Sequence, residues 1–96
     1  VIAICLERDR TGRIPEVEEI SAVACAVHNL HLSAVSRGIS GYWSSPSPVY
    51  TDAFRDFLNL QAPDRCLGVF YLGYPSIAWP TSRRRPIEDK VDFVGG

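Results

Sequence analysis

The stretch from Pro15 to Gly38 constrains this chain more than any other part of it. Apolar residues recur at Ile20, Val23, Ala24, Ala26, Val27, Leu30, Leu32, Ala34 and Val35, the spacing of an α-helix. Pro15 is preset for a first helical turn, and Glu16, Glu18 and Glu19 put negative charge at the positive end of the helix dipole. Arg37 falls in the last turn and Gly38 ends it. The predicted helix has about 23 residues and runs roughly 35 Å at 1.5 Å per residue. Its apolar positions cover most of the circumference, so it is expected to be central and packed on several sides. That is long for a chain of 96 residues. It fits better in the middle of a domain about twice the size.

The segments around the helix read as a single domain without internal repeats. Val1 to Leu6 is a continuous apolar run rich in β-branched residues, which predicts a strand buried on both faces or a central strand. Glu7 to Arg13 is a charged turn punctuated by glycine. Gly38 to Pro46 predicts a short strand and a loop, and Ser47-Pro48 continues the loop. Thr51 or Asp52 caps a short helix from Ala53 to Leu58, with Phe54, Phe57 and Leu58 as its apolar side. Gln61 to Asp64 is a turn. Cys66 to Tyr74 is a strand that Pro75 stops. A proline-spaced segment then leads through Arg83-Arg84-Arg85-Pro86 to a tail ending at Gly96. Strand, long helix, strand, short helix, strand and tail predict an α+β or α/β sandwich with helices against a sheet.

Composition narrows the function classes. Hydrophobic residues make up 46%, normal for a globular chain, and the net charge of -1 argues against a general nucleic-acid binder. No apolar run approaches the roughly 18–20 residues that span a bilayer. No basic segment precedes the first strand, so no signal peptide is expected. Cys5, Cys25 and Cys66 are far apart in sequence and lack a C-x-x-C spacing. They predict buried free thiols in a reducing compartment, the cytoplasm, with no metal site. There is no methionine. With the abrupt opening strand, this predicts a piece of a longer protein.

Three places carry candidate chemistry. Gly41-Tyr42-Trp43-Ser44-Ser45-Pro46 offers glycine for close approach, two aromatic faces and backbone donors, a set that suits a planar ring with a polar edge. It equally suits an aromatic plug over the core. Arg83-Arg84-Arg85 suits bidentate phosphate binding or a solvated basic turn. Cys25, His28, Asn29 and His31 share the long helix. No third group is spaced to orient a histidine, so packing with a few polar interface residues is the reading there. Glu7/Asp9, Glu18/Glu19 and Glu88/Asp89 fall in charged stretches expected to be solvated, and no phosphate-binding glycine loop occurs.

In order and spacing these segments resemble the nitroreductase family of FMN enzymes over nearly the whole chain. The resemblance rests on the opening strand, the helix Glu19 to Leu30, and the join Ala34 to Ser45. It also rests on Leu67-Gly68-Val69-Phe70-Tyr71-Leu72-Gly73-Tyr74-Pro75 and the closing Arg83 to Val91. It implies an α+β sandwich of a mixed sheet around a long central helix, here only its C-terminal half. It also implies a homodimer with FMN at the interface. Trp43, Ser44 and Ser45 would lie against the flavin ring, with a backbone N–H reaching flavin N5. Arg84 would meet the FMN phosphate, with Arg83 and Arg85 as weaker candidates. Ser33, Ala34, Val35, Ser36, Arg37 and Gly38 match a stretch assigned in some members to the nicotinamide nucleotide. The implied activity carries hydride from NAD(P)H through flavin to a nitroaromatic, quinone or similar small-molecule acceptor, without a catalytic side chain. The alternatives are a flavin-binding module without turnover and an inactive fragment. The family's basic N-terminal phosphate-binding segment has no counterpart here.

Overall fold

The computed structural model describes residues 1–95; Gly96, the end of the expected tail, lies outside them. Its regular elements are β1 (Ile2–Leu6), α1 (Glu16–Val35), β2 (Ser40–Ser44), α2 (Asp52–Phe57) and β3 (Arg65–Gly73), with 3₁₀ turns at Ser47–Tyr50 and Ile87–Asp89. The fold is α+β, and the expected element order holds.

α1 has 20 residues, about 30 Å. At its start the Pro15 carbonyl accepts from the Glu18 and Glu19 amides. Its end is a Schellman turn: Ile39 N–H donates to Ala34 O, Gly38 N–H donates to Val35 O, and Gly38 has φ +74°. Glycine adopts that left-handed backbone without steric cost. Only one stripe of the helix packs on the sheet. Ile20, Val23, Val27, Leu30 and Ala34 are buried or half-buried, whereas Val17, Leu32 and Val35 are exposed. The several-sided packing expected for α1 is therefore not met by this chain, which offers a sheet on one side of it.

The sheet order is β1-β3-β2, with both pairs antiparallel. Among the described residues the sheet is thus antiparallel, not mixed. β1 is an edge strand rather than a central one. Ile4 and Leu6 point into the core and Cys5 is exposed, because β3, the longest strand, takes the middle. The periodicity of β1 predicted a strand but does not distinguish an edge from a centre.

β3 carries a bulge. Ile4 lies opposite Gly68, but the next residue, Cys5, lies opposite Cys66, which leaves Leu67 over. Consecutive residues of β1 face opposite ways, so Cys66 and Gly68 do too, despite being two apart. Leu67 turns into the core with Ile4, Leu6, Val27 and Phe70, and Ile20, Val23, Leu30 and Leu72 pack against that cluster. Phe70, only 1% exposed, is its centre. Burying such a ring contributes about 1.5–3 kcal/mol.

The turn before α1 is tied down by charge. Arg8 pairs with Glu16 and with Glu19, Glu19 also accepts the Asp9 amide, and Arg10 pairs with Asp64 at 2.7 Å. Glu19 is buried; the solvated stretch expected at Glu18/Glu19 holds only for Glu18. The segment expected to continue as a loop at Ser47-Pro48 forms a 3₁₀ turn. Pro48 is tolerated there because it sits in the first positions, where no N–H is needed. Thr51, not Asp52, caps α2, its hydroxyl accepting the Phe54 amide at 3.2 Å. From Gly73 to Gly95 every residue is exposed. The radius of gyration of 17.2 Å exceeds the roughly 12–13 Å of a compact chain this long, because this tail leaves the body.

Candidate functional site

Trp43, Ser44 and Ser45 lie at the end of β2 and just beyond it. Their setting follows from the bulge. Trp43 lies opposite Phe70 and Ser44 opposite Val69, so the Trp43 side chain is on the helix side of the sheet. Its indole N–H donates to the Leu67 carbonyl at 3.1 Å, the carbonyl of the residue left over in the ladder. The indole crosses Gly68. A Cβ at that position would collide with the indole nitrogen and lie 2.6 Å from the Ser44 carbonyl. The glycine thus makes room for the ring, and the bulge supplies its acceptor.

So held, Trp43 remains 37% exposed. It forms a wall of a shallow cleft of about 340 Å³ with Ile20, Ser45, Tyr50 and Leu67. That is near the lower end of the roughly 300–1,000 Å³ of small-molecule pockets. It admits one edge of a planar ring against apolar walls, with the Ser45 hydroxyl as a polar contact. The residues present therefore fit the ring of a planar cofactor better than a whole nucleotide. Within the segment expected to be a short strand and a loop, Gly38 to Pro46, Trp43 and Ser44 fall in the strand. Tyr42 points to the other face, stacked on Tyr71 with ring centroids 5.1 Å apart.

The other candidates are not gathered here. Arg84 and Arg85, with Arg83, sit on the exposed tail, and none of the three bonds to the body among the described residues. Ser33 to Gly38 forms the last turn of α1. Arg37 donates to the Ser33 carbonyl at 3.1 Å and to its hydroxyl, and the Ser36 hydroxyl donates to the same carbonyl at 2.7 Å. The arginine thus neutralises the negative end of its own helix. On α1, Cys25, His28 and Asn29 are exposed, while His31 is half-buried, edge-on to Phe70 with centroids 5.3 Å apart. No cluster of three or more metal-ligating side chains occurs among the described residues.

The cysteines depart from expectation. Cys66 is buried, but Cys5 and Cys25 are exposed in this chain, since β1 is at an edge and Cys25 lies off the packed stripe of α1. Cys5 and Cys66, far apart in sequence, lie opposite each other in the sheet. Partial burial, then the neighbouring Cys66 thiol, push the Cys5 thiol pKa up. A raised thiol carries little thiolate at neutral pH, so Cys5 reacts slowly there.

Sequence reading missed Ile20, Tyr50 and Leu67 as cleft residues, and it missed the bulge. An isolated glycine inside the strand pattern at Gly68 was the available signal. No helix is long and apolar enough to cross a membrane among the described residues.

Comparison with known proteins places this geometry among relatives. The model of the Nitroreductase family matches residues 1–74. YdjA of Escherichia coli (strain K12), which carries the provisional name NAD(P)H nitroreductase, is 27% identical over 94 residues, covering 98% of this chain and 50% of YdjA. YfhC of Bacillus subtilis (strain 168), under the same provisional name, is 26% identical over 89 residues, covering 93% and 45%. A nitroreductase-like family protein from Bacillus cereus superimposes with a TM-score of 0.75 at 26% identity, covering 94% of this chain and 46% of that one. The chain spans about half the length of the relatives it matches.

Proposed function

As the chain belongs to the nitroreductase family, we propose that it is part of an FMN-dependent oxidoreductase that draws hydride from NAD(P)H and reduces a nitroaromatic, quinone or similar acceptor. The observation that carries this reading is the half-exposed Trp43, fixed by the Leu67 carbonyl and forming the wall of a cleft with Ile20, Ser45, Tyr50 and Leu67. When bound, FMN supplies the electron-carrying chemistry. The chain's own residues bind and orient. Trp43 and Leu67 would give the ring an apolar wall. Ser45, just past the ladder, offers its hydroxyl and main chain to the polar edge of the ring. Arg84, with Arg85 beside it, would hold the phosphate by charge-assisted hydrogen bonds. No side chain is required as acid or base, since the cofactor carries the chemistry.

We also propose a homodimer. The exposed tail carries Tyr74, Ile77, Trp79 and Phe93, apolar surface of the kind an interface covers. The full-length protein is expected to elute as a dimer, carry bound flavin absorbance and oxidise NADPH or NADH. A colourless protein that ignores added FMN and leaves the nicotinamide unoxidised overturns the proposal.

A second reading, a flavin-binding module without nicotinamide turnover, is favoured by one observation. Arg37 is already engaged with Ser33, so a nicotinamide nucleotide at Ser33 to Gly38 would first have to displace it. Tight FMN binding without NAD(P)H oxidation would select this reading.

A further inference from the structure

The flavin reading leaves Cys5 and Cys66 unused, yet the fold sets them face to face. They are directly opposed across β1 and β3. Opposed residues of an antiparallel pair have Cα atoms about 4.5–5.5 Å apart, inside the roughly 4.4–6.8 Å that a disulfide spans. The two differ in access. Among the described residues Cys5 is exposed on the outer strand β1, while Cys66 is buried. The Cys66 sulfur donates to the Gly68 carbonyl at 3.2 Å and accepts the Gly68 amide at 3.4 Å. Cys25 lies on α1 and belongs to neither strand.

We propose that Cys5 and Cys66 form a reversible cross-strand disulfide, a modification site that staples the edge strand β1 to β3 beside the bulge. The chemistry needs an external oxidant, either a low-molecular-weight disulfide or hydrogen peroxide. With a small disulfide, the small thiolate fraction of the exposed Cys5, which grows as pH rises, attacks one sulfur, forming a mixed disulfide and releasing one small thiol. Cys66 then attacks the Cys5 sulfur and releases the second small thiol. The two protein sulfurs lose two electrons, and the oxidant is reduced to two thiols. With peroxide, Cys5 becomes a sulfenic acid and one water leaves; condensation with the Cys66 thiol then releases a second. The access difference sets the order: Cys5 meets the oxidant and Cys66 resolves it.

The bond would act on the cleft through the backbone. Leu67, whose carbonyl holds Trp43, follows Cys66 directly, and a Cys66 sulfur drawn toward Cys5 gives up its contacts to Gly68. The link forms or fails whether or not the protein binds flavin, so its test is separate from the one above.

The test uses full-length protein. It is reduced, freed of reductant, exposed to oxidised glutathione or to hydrogen peroxide, and alkylated. It is then digested without reductant for mass spectrometry. The expected result is a Cys5 peptide joined to a Cys66 peptide, released by dithiothreitol, with Cys25 alkylated. The oxidised protein should melt at a higher temperature and show altered tryptophan fluorescence, and both changes should reverse on reduction. Cys25→Ser should leave the link intact. Cys5→Ser, an exposed change that keeps the fold, should abolish it. Alkylation of both Cys5 and Cys66, a persistent glutathione adduct on Cys5, or a link from Cys5 to any other cysteine overturns the proposal.

Discussion

At Gly68 two demands coincide. The backbone sits at φ +132°, and the space a Cβ would take is filled by the Trp43 indole and the Ser44 carbonyl. Gly68→Ala should therefore destabilise by about 2–4 kcal/mol, the sum of backbone strain and overpacking, and loosen Trp43. Urea denaturation and a red-shifted tryptophan emission would show it; an unchanged midpoint would mean the indole does not lie across this residue. Asp9 makes a quieter demand. The Thr11 hydroxyl, then the amides of Thr11 and Arg13, hold its carboxyl below the ordinary value. A depressed acid contributes stability that is fully present above the unfolded pKa, about 3.9, and is lost as pH falls through the folded one. Thr11→Val should move the Asp9 titration back up, as read by its carboxyl carbon shift; no movement would release Thr11 from that role. Such residue-level facts were only partly legible in the sequence. Trp43 announced itself by its neighbours. The reason for Gly68 depends on register with β2, about 25 residues away, and the Cys5–Cys66 pairing on register between strands some sixty residues apart, which no local pattern encodes.

Among the elements, those whose ends are chemically marked were the legible ones. Pro15 and the glutamates open α1 and Gly38 closes it, so its bounds came within a few residues of those read from spacing. Thr51 opens α2 in the same way. Gly38→Ala gives a clean measure of such a mark. Nothing lies within 4 Å of the added Cβ, so only the left-handed backbone is at stake. A loss of about 1 kcal/mol is expected, with the helix shortened by a turn in amide exchange; no loss would mean that the turn relaxes freely. The position of β1 was illegible for the opposite reason. An apolar run says that a strand is buried somewhere, not which neighbour lies on each side. Likewise, the apolar circumference of α1 predicted neighbours, but this chain supplies one.

For the whole molecule, the division is between a body built on one cluster around Phe70 and a tail without contacts of that kind. The body was legible because burial follows periodicity. The tail's destination was not, because its described residues are all exposed. If the tail carries the phosphate contact, Arg84→Ala in the full-length protein should weaken FMN binding by about 1–3 kcal/mol, measured by flavin fluorescence titration. Unchanged affinity would return the arginines to solvent. The same exposed run has a consequence for handling the protein. Three consecutive arginines in an extended segment with neither helix nor strand are what trypsin seeks. Proteolysis should therefore begin after Arg83 or Arg84 and trim the tail while sparing the sheet. Added FMN should slow that first cut if the phosphate rests on those guanidiniums, making nick rate a gauge of occupancy that needs no turnover.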